Sequence, residues 1–168
     1  MVAHARSGIT LLVLVVVVLI GGAWGWSAVT KPFPGKADAP ICVQRTVDAG
    51  ERVYPEQVTV SVLNAGTREG LAGRTMQLLE NEGFAPGNLD NAPPGTDVPR
   101  VEIWSNDPTS PAVQLVVSRF GPGTEVVRRD TTVAGVVVVV GDDFVDLGKG
   151  RKSVVAESDA QICSPPVG

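Results

Sequence analysis

The strongest pattern in the chain is an apolar run near its N-terminus. Residues 9–22 read ITLLVLVVVVLIGG, and no charged residue occurs from Ser7 to Thr30. About 20 apolar residues suffice to cross the roughly 30 Å hydrocarbon core of a bilayer. We therefore predict a transmembrane anchor over residues 9–29, preceded by a cytoplasmic N-terminus (residues 1–8) and followed by a linker (residues 30–40).

A cleaved signal peptide is the alternative interpretation of this run, because its small residues Gly25 and Ser27 could flank a cleavage site. Two tryptophans, Trp24 and Trp26, are unfavourable beside such a site and suit a membrane interface better. Both interpretations place the rest of the chain outside the cytoplasm. We expect a single-pass protein of the cell membrane whose C-terminal domain is extracytoplasmic.

Beyond the linker, strand and helix patterns alternate. Residues 57–63 (QVTVSVL) alternate β-branched and polar side chains, which predicts a strand, and the continuous apolar run at residues 135–140 (GVVVVV) predicts a central, well-buried one. Further strands are predicted at residues 84–89, where the strand is an edge strand, and at residues 100–104 and 125–128.

Two helices are predicted between these strands. Residues 70–82 carry one apolar face and end before Gly83, a candidate C-cap, and residues 109–119 carry another apolar face. Asp107 is the expected cap of the second helix, and Pro108 suits a first helical position. The order β-α-β-β-α-β-β predicts a single small α/β layered domain, with two helices on one face of a mixed sheet.

The chain has two cysteines: Cys42 precedes the predicted strands in the sequence, and Cys163 follows them. In an exported chain an even pair predicts a disulfide, which would pin the C-terminal tail of a domain spanning residues 41–168. Two unrelated buried thiols are the plain alternative. A catalytic thiol is the least favoured, because the only histidine is His4 and no other could activate it.

Composition narrows the chemistry further. A single histidine excludes a Ser-His-Asp triad and a multi-histidine zinc site on the body of the chain. The net charge of −4 argues against nucleic acid as a partner, since phosphate binding needs a basic surface. We expect no catalytic residue, no metal site and no cofactor.

A series of motifs resembles the LytR C-terminal domain family over residues 57–144. The motifs are VLNAGT at 62–67, GLA at 70–72, GF at 83–84, NAP at 91–93 and VVVGDDF at 138–144. Ala65 departs from the glycine that many members carry there. The resemblance implies a domain without established catalytic activity, similar to that of anchored accessory factors needed for an intact actinobacterial envelope.

The loop after the first predicted sheet strand is a candidate binding site. Asn64, Gly66, Thr67 and Arg68 lie between a strand and a helix, where backbone N–H groups can bind an anion and Arg68 could assist. The alternative is a plain turn, in which Asn64 bonds its own backbone. No nucleotide-binding fingerprint is present.

Two further features have competing interpretations. Asp142, Asp143 and Asp146 could form a metal or acid–base cluster, but solvated carboxylates after a buried strand are the simpler expectation. Trp104 could be a core residue or an exposed platform on which a sugar stacks.

The sequence thus predicts a membrane-anchored, non-catalytic cell-envelope integrity factor. Its domain would bind a protein partner, such as another anchored protein with this domain, or a cell-wall polymer. One alternative is a carrier of a lipid or small ligand. A less favoured one is a wall-polymer-processing enzyme that uses carboxylates such as Glu102, Asp142 and Asp143.

Overall fold

The computed structural model describes residues 14–22, 26 and 40–166. Residues 14–22 are helical, and they cover part of the predicted anchor. Within the described residues, no helix combines the length and the apolar character that a membrane span requires. The anchor over residues 9–29 therefore stays a prediction. The predicted cytoplasmic N-terminus and nearly all of the predicted linker lie outside the described residues.

The described residues from Pro40 onward form one compact unit. It contains a short 3₁₀ helix at Pro55–Gln57, two α-helices and nine strands among the described residues. The helices are α1 (Leu71–Asn81) and α2 (Pro111–Phe120). The strands are β1 (Val43–Val47), β2 (Arg52–Val53), β3 (Thr59–Asn64), β4 (Ala85–Asn91), β5 (Val101–Ser105), β6 (Glu125–Arg128), β7 (Val136–Val140), β8 (Val154–Val155) and β9 (Ala160–Ser164).

Five of these strands form one mixed sheet in the order β4-β3-β7-β5-β6. Strand β3 is parallel to β4 and β7, and β5 is parallel to β6 but antiparallel to β7. The predicted mixed sheet is confirmed. So are the central position of the valine strand β7 and the edge position of β4.

The valine strand is buried on both faces of the sheet. On one face Val138 packs in the same cluster as Leu79 of α1 and Leu115 of α2, so both helices cover that face as predicted. On the other face Val137 and Val139 pack with loop residues and with side chains of neighbouring strands. Complete burial of one valine side chain stabilises a fold by roughly 1.5 kcal/mol or more, which explains the fully apolar run.

Helix α2 begins later than its pattern predicts. Its first residue is Pro111, and Ser110 before it is extended with ψ 138°. The residue before a proline is kept out of the helical region by its clash with the proline ring. The predicted start at Thr109 and first turn at Pro108 are therefore wrong. Asp107 caps no helix and instead accepts a hydrogen bond from the Thr109 backbone N–H at 3.1 Å.

The N-terminal segment and the tail pair with each other, which the pattern did not predict. Strand β1 pairs antiparallel with β9, and β2 pairs antiparallel with β8. The predicted disulfide between Cys42 and Cys163 is confirmed, with their Cα atoms 5.4 Å apart and a separation of 121 positions in sequence. The tail is thus held by covalent and backbone links together.

The sheet has two ends that matter for function. Strand β3 runs from Thr59 to Asn64, and β7 lies parallel to it, so both strands reach the Asn64 end at their last residues. Strand β5 runs the other way, which brings its last residue, Ser105, to the Thr59 end. The two ends are called the loop end (Asn64) and the cleft end (Thr59).

Candidate functional site

At the loop end, Asn64 closes the turn that follows β3. Its Oδ1 accepts a hydrogen bond from the backbone N–H of Gly66, and its Nδ2 donates to the backbone oxygen of Arg68, both at 3.0 Å. Asparagine commonly closes turns in this way, because its short amide reaches its own backbone. Asn64 therefore shapes the loop from within.

The carboxylate of Asp142 accepts hydrogen bonds from the backbone N–H groups of this loop. Thr67 donates its backbone N–H to both carboxylate oxygens at 2.9 Å, and its hydroxyl to Oδ2 at 2.9 Å. The backbone N–H of Arg68 donates to Oδ1 at 3.1 Å, and its side-chain Nε lies 3.7 Å from the same oxygen. The loop does bind an anion, and in this structure the anion belongs to the chain itself.

These hydrogen bonds lower the pKa of Asp142. The backbone N–H of Thr67 contributes most, followed by the Thr67 hydroxyl and the backbone N–H of Arg68. Hydrogen bonds to the ionised form favour that form and thus depress the pKa of a carboxyl group. Asp142 is therefore ionised at neutral pH, where it is an acceptor and does not act as a general acid.

Gly66 is required by the closeness of this carboxylate. A Cβ atom added at Gly66 would overlap Oδ1 of Asp142. The guanidinium of Arg68 also donates to the backbone oxygen of Phe144 at 2.6 Å. The structure thus brings Asn64, Gly66, Thr67 and Arg68 together, as predicted, around a carboxylate of the chain. Contact of these four residues with an external ligand stays a prediction.

Trp104 lies apart from the loop, near the end of β5 and opposite Val137. Only 3% of its surface is exposed. Its indole N–H donates to Oε1 of Glu102 at 2.5 Å, and the guanidinium of Arg129 lies 4.1 Å from its ring centroid. This burial favours the core interpretation of Trp104 over the sugar platform, because both an edge and a face of the ring are already in contact with protein.

The aspartates after β7 do not assemble a metal site. Asp142 binds the loop, and the side chain of Asp146 accepts a hydrogen bond from the backbone N–H of Leu147 at 2.8 Å. In the part of the chain that the structure describes, no three acidic, histidine or cysteine side chains come close enough to hold a metal ion.

A cleft of about 830 Å³ opens at the other end of the sheet. It lies between the β1–β9 ribbon, the segment that leads into α2, and the segment that leads into β7, and both cysteines of the disulfide line it. Amide side chains line it at Gln44, Asn106 and Gln161. Carboxylates line it at Asp107, Asp130 and Asp159.

Hydroxyl groups and aliphatic side chains, among them Val58, Val136 and Ile162, make up the rest of the wall of this cleft. Thr46, Thr59, Ser105, Ser110 and Thr131 all line it. Sequence reasoning missed the cleft because its residues come from five segments of the chain and carry no shared motif. The one signal available was the disulfide prediction, which brings β9 next to the start of the domain.

Comparison with known proteins identifies the sheet-and-helix part of the domain. The family model described as LytR cell envelope-related transcriptional attenuator matches residues 57–144, more than half of the 168-residue chain. The chain is also similar to the solved soluble domain of a conserved hypothetical secreted protein from Mycobacterium marinum. The two share 29% identity with a TM-score of 0.46, over 60% of this chain and 77% of that one. No curated protein matches the chain. Strands β3 to β7 and both α-helices lie within the matched residues, and the chain belongs to the LytR_C family.

Proposed function

We propose that this chain is a membrane-anchored, non-catalytic factor of the cell envelope whose extracytoplasmic domain binds a wall polymer. The match to a cell envelope-related family supports a location in the cell envelope. The apolar run over residues 9–29 supports the anchor. An anchor confines the domain to one surface and raises its effective concentration there, so that weak contacts with a polymer suffice.

The polar cleft at the cleft end of the sheet carries this proposal. Its volume of about 830 Å³ falls within the roughly 300–1,000 Å³ of small-molecule sites. Amide, hydroxyl and carboxylate groups line it, and these are hydrogen-bond partners for a polyhydroxylated chain. Burying such groups against an acyl chain would cost free energy, which argues against a lipid carrier.

Two of the three carboxylates proposed for an enzyme, Glu102 and Asp142, have structural contacts instead. Glycoside hydrolysis needs two carboxyl groups across a groove, one of them protonated to act as an acid. The carboxylate of Asp142 is held in ionised form by the 64–68 loop, and that of Glu102 accepts the indole N–H of Trp104. These contacts support a binding role for the domain rather than turnover.

Crosslinked pull-down of the full-length protein from intact cells, with both glycan and protein identified, tests this proposal. We expect a wall polymer to be recovered, and we expect Gln161→Trp, which fills the cleft, to reduce the recovery. Val145→Trp, at a position that is 70% exposed and lies outside the cleft, is the control and should leave it unchanged. Recovery of another anchored protein without polymer, or of stoichiometric lipid, would contradict the proposal.

A further inference from the structure

We propose that the cleft selects an uncharged saccharide and rejects anionic polymers. This inference rests on the proposed function and adds the chemical class of the ligand. The charges that line the cleft, the neutral groups between them and two hydrogen-bonding features of its wall support this inference.

The charges that line the cleft are all negative. Asp107, Asp130 and Asp159 line it, whereas no lysine or arginine among the described residues does. One cation lies beside the cleft, since the guanidinium of Arg128 donates to the backbone oxygen of Asn106 at 2.7 Å, but the three lining carboxylates outnumber it. Like charges repel each other, and this repulsion grows as water is excluded from between them. A phosphate or carboxylate polymer would therefore be repelled by this cleft.

The arginine on the β1 strand does not reverse this balance. Arg45 forms an ion pair with Glu51, while its neighbours Gln44 and Thr46 line the cleft. Arg45 does not itself line the cleft, and its pairing with Glu51 offsets its charge. The amide side chains that line the cleft are neutral, and they offer both donors and acceptors to sugar hydroxyls.

The first turn of α2 supplies donors for a neutral oxygen. Ser110 makes no side-chain cap hydrogen bond, and Ala112 and Val113 of the first turn line the cleft. The first N–H groups of a helix have no partner within the helix and can donate to a ligand. Because three aspartates line the same cleft, a neutral hydroxyl or acetamido oxygen would accept hydrogen bonds from these donors more favourably than an anion would.

The buried hydroxyl of Thr59 is the second hydrogen-bonding feature of the cleft wall. It lines the cleft and none of its surface is exposed, yet its hydroxyl oxygen has no hydrogen-bond partner among the described residues. A buried hydroxyl without a partner destabilises the free protein, because it has lost its hydrogen bonds to water. Because none of Thr59 is exposed, the wall of the cleft must shift to uncover this hydroxyl, and a bound saccharide would then supply the missing partner. Thr59 is thus placed to add affinity at the cost of some stability.

The test titrates full-length protein in detergent with tetrasaccharides of matched length. The uncharged probes are tetramers of glucose, galactose and N-acetylglucosamine, and the anionic probe is a tetramer of galacturonic acid. We expect at least one uncharged probe to bind, and the anionic probe to bind at least about tenfold more weakly, the ratio that two to three unfavourable charge contacts produce at a surface. Failure of all three uncharged probes, or equal binding of the anionic one, would overturn the inference.

Thr59→Val isolates the hydroxyl, since it keeps the shape of the side chain. We expect it to weaken binding of the uncharged probe by about three- to tenfold, the effect of one hydrogen bond. We also expect an unchanged or higher unfolding midpoint, which shows that the variant folds. The control is Thr75→Val, because the equally buried Thr75 donates to the Leu71 backbone oxygen away from the cleft. Equal loss of affinity in both variants, or none in Thr59→Val, would overturn the role given to Thr59.

The two proposals fail in distinguishable ways. If the full-length protein captures a polymer in cells through the cleft but binds none of the uncharged tetrasaccharides, the proposed function stands and the charge selection is wrong. If cells yield no polymer at all, the proposed function itself is wrong.

Discussion

Thr67 gives both its backbone N–H and its hydroxyl to the carboxylate of Asp142, a residue 75 positions further along the chain. These bonds join the turn before α1 to the end of the central strand β7. They satisfy N–H groups that could otherwise bind an external anion. An external anion could use this loop only by displacing Asp142.

Asp142→Asn tests this link. The substitution removes the charge that the two backbone N–H groups and the Arg68 side chain face. Hydrogen bonds to charged acceptors are stronger than those to neutral ones, so we expect a lower unfolding midpoint in urea. Asp143→Asn is the matched control at the next, exposed position and should have little effect. Equal midpoints for both variants would contradict the assigned role of Asp142.

The pH dependence of stability should show the same link. The pKa of Asp142 is lowered in the folded protein from its ordinary value of 3.8. Above 3.8 the carboxylate is ionised in both states, so its stabilising contribution is fully present. As pH falls from 3.8 through the folded pKa, that contribution is lost. Urea midpoints of the wild type and Asp142→Asn, measured from pH 7 to pH 2, should differ by a constant amount down to about pH 5 and converge in acid. A difference that widens in acid would refute this.

Gly66→Ala should destabilise the fold, because the new methyl group would overlap the Asp142 carboxylate and push it from the loop. Gly73→Ala is the control within α1, where no atom lies within 4 Å of the added Cβ. Alanine is a better helix former than glycine, so we expect Gly73→Ala to stabilise by roughly 0.5–1 kcal/mol. Thermal unfolding of both variants gives the comparison. A stabilising Gly66→Ala would show that the carboxylate tolerates displacement.

Much of the sheet could be predicted from sequence because its strands carry local signals. The uninterrupted valines of β7 predict a central strand, and the alternating pattern of β3 predicts its neighbour. The start of α2 was misplaced because two prolines, Pro108 and Pro111, both suit a first helical turn, and only the extended Ser110 distinguishes them.

The ribbons and the cleft could not be predicted in the same way. Strand β1 (VQRTV) is mostly exposed and polar, and it forms because it pairs with β9, more than 100 residues away. Such strands depend on distant pairing and on the disulfide, neither of which leaves a periodic pattern in the sequence. The cleft between them has no local signature for the same reason.

Removing the disulfide should therefore weaken the fold substantially. The double variant Cys42→Ser/Cys163→Ser frees a loop that spans 121 residues. A native disulfide that closes a long loop typically stabilises by about 2–5 kcal/mol, largely by restricting the unfolded chain. Urea unfolding should show this loss in the double variant, and in the wild type after reduction. A reductant that further destabilises the double variant would show that the effect has another cause.

Trp104→Ala distinguishes the core interpretation from the sugar platform. Truncating a buried tryptophan removes its packing against the sheet, and we expect a loss of about 3–5 kcal/mol in the free energy of unfolding. Arg129→Leu, which removes the cation over the ring, should cost about 0.5–2 kcal/mol. Thermal or urea unfolding measures both. A stable Trp104→Ala variant that has lost polymer binding would support the platform instead.

The most direct test of the central claim, that the cleft binds a wall polymer, is site-specific photo-crosslinking in intact cells. A photoreactive residue is placed at Gln161 in the cleft or, as the control, at the exposed Val145 outside it, and the captured material is identified. The account predicts that Gln161 captures wall glycan and Val145 does not. Capture of glycan from both positions alike, or from neither, would contradict it.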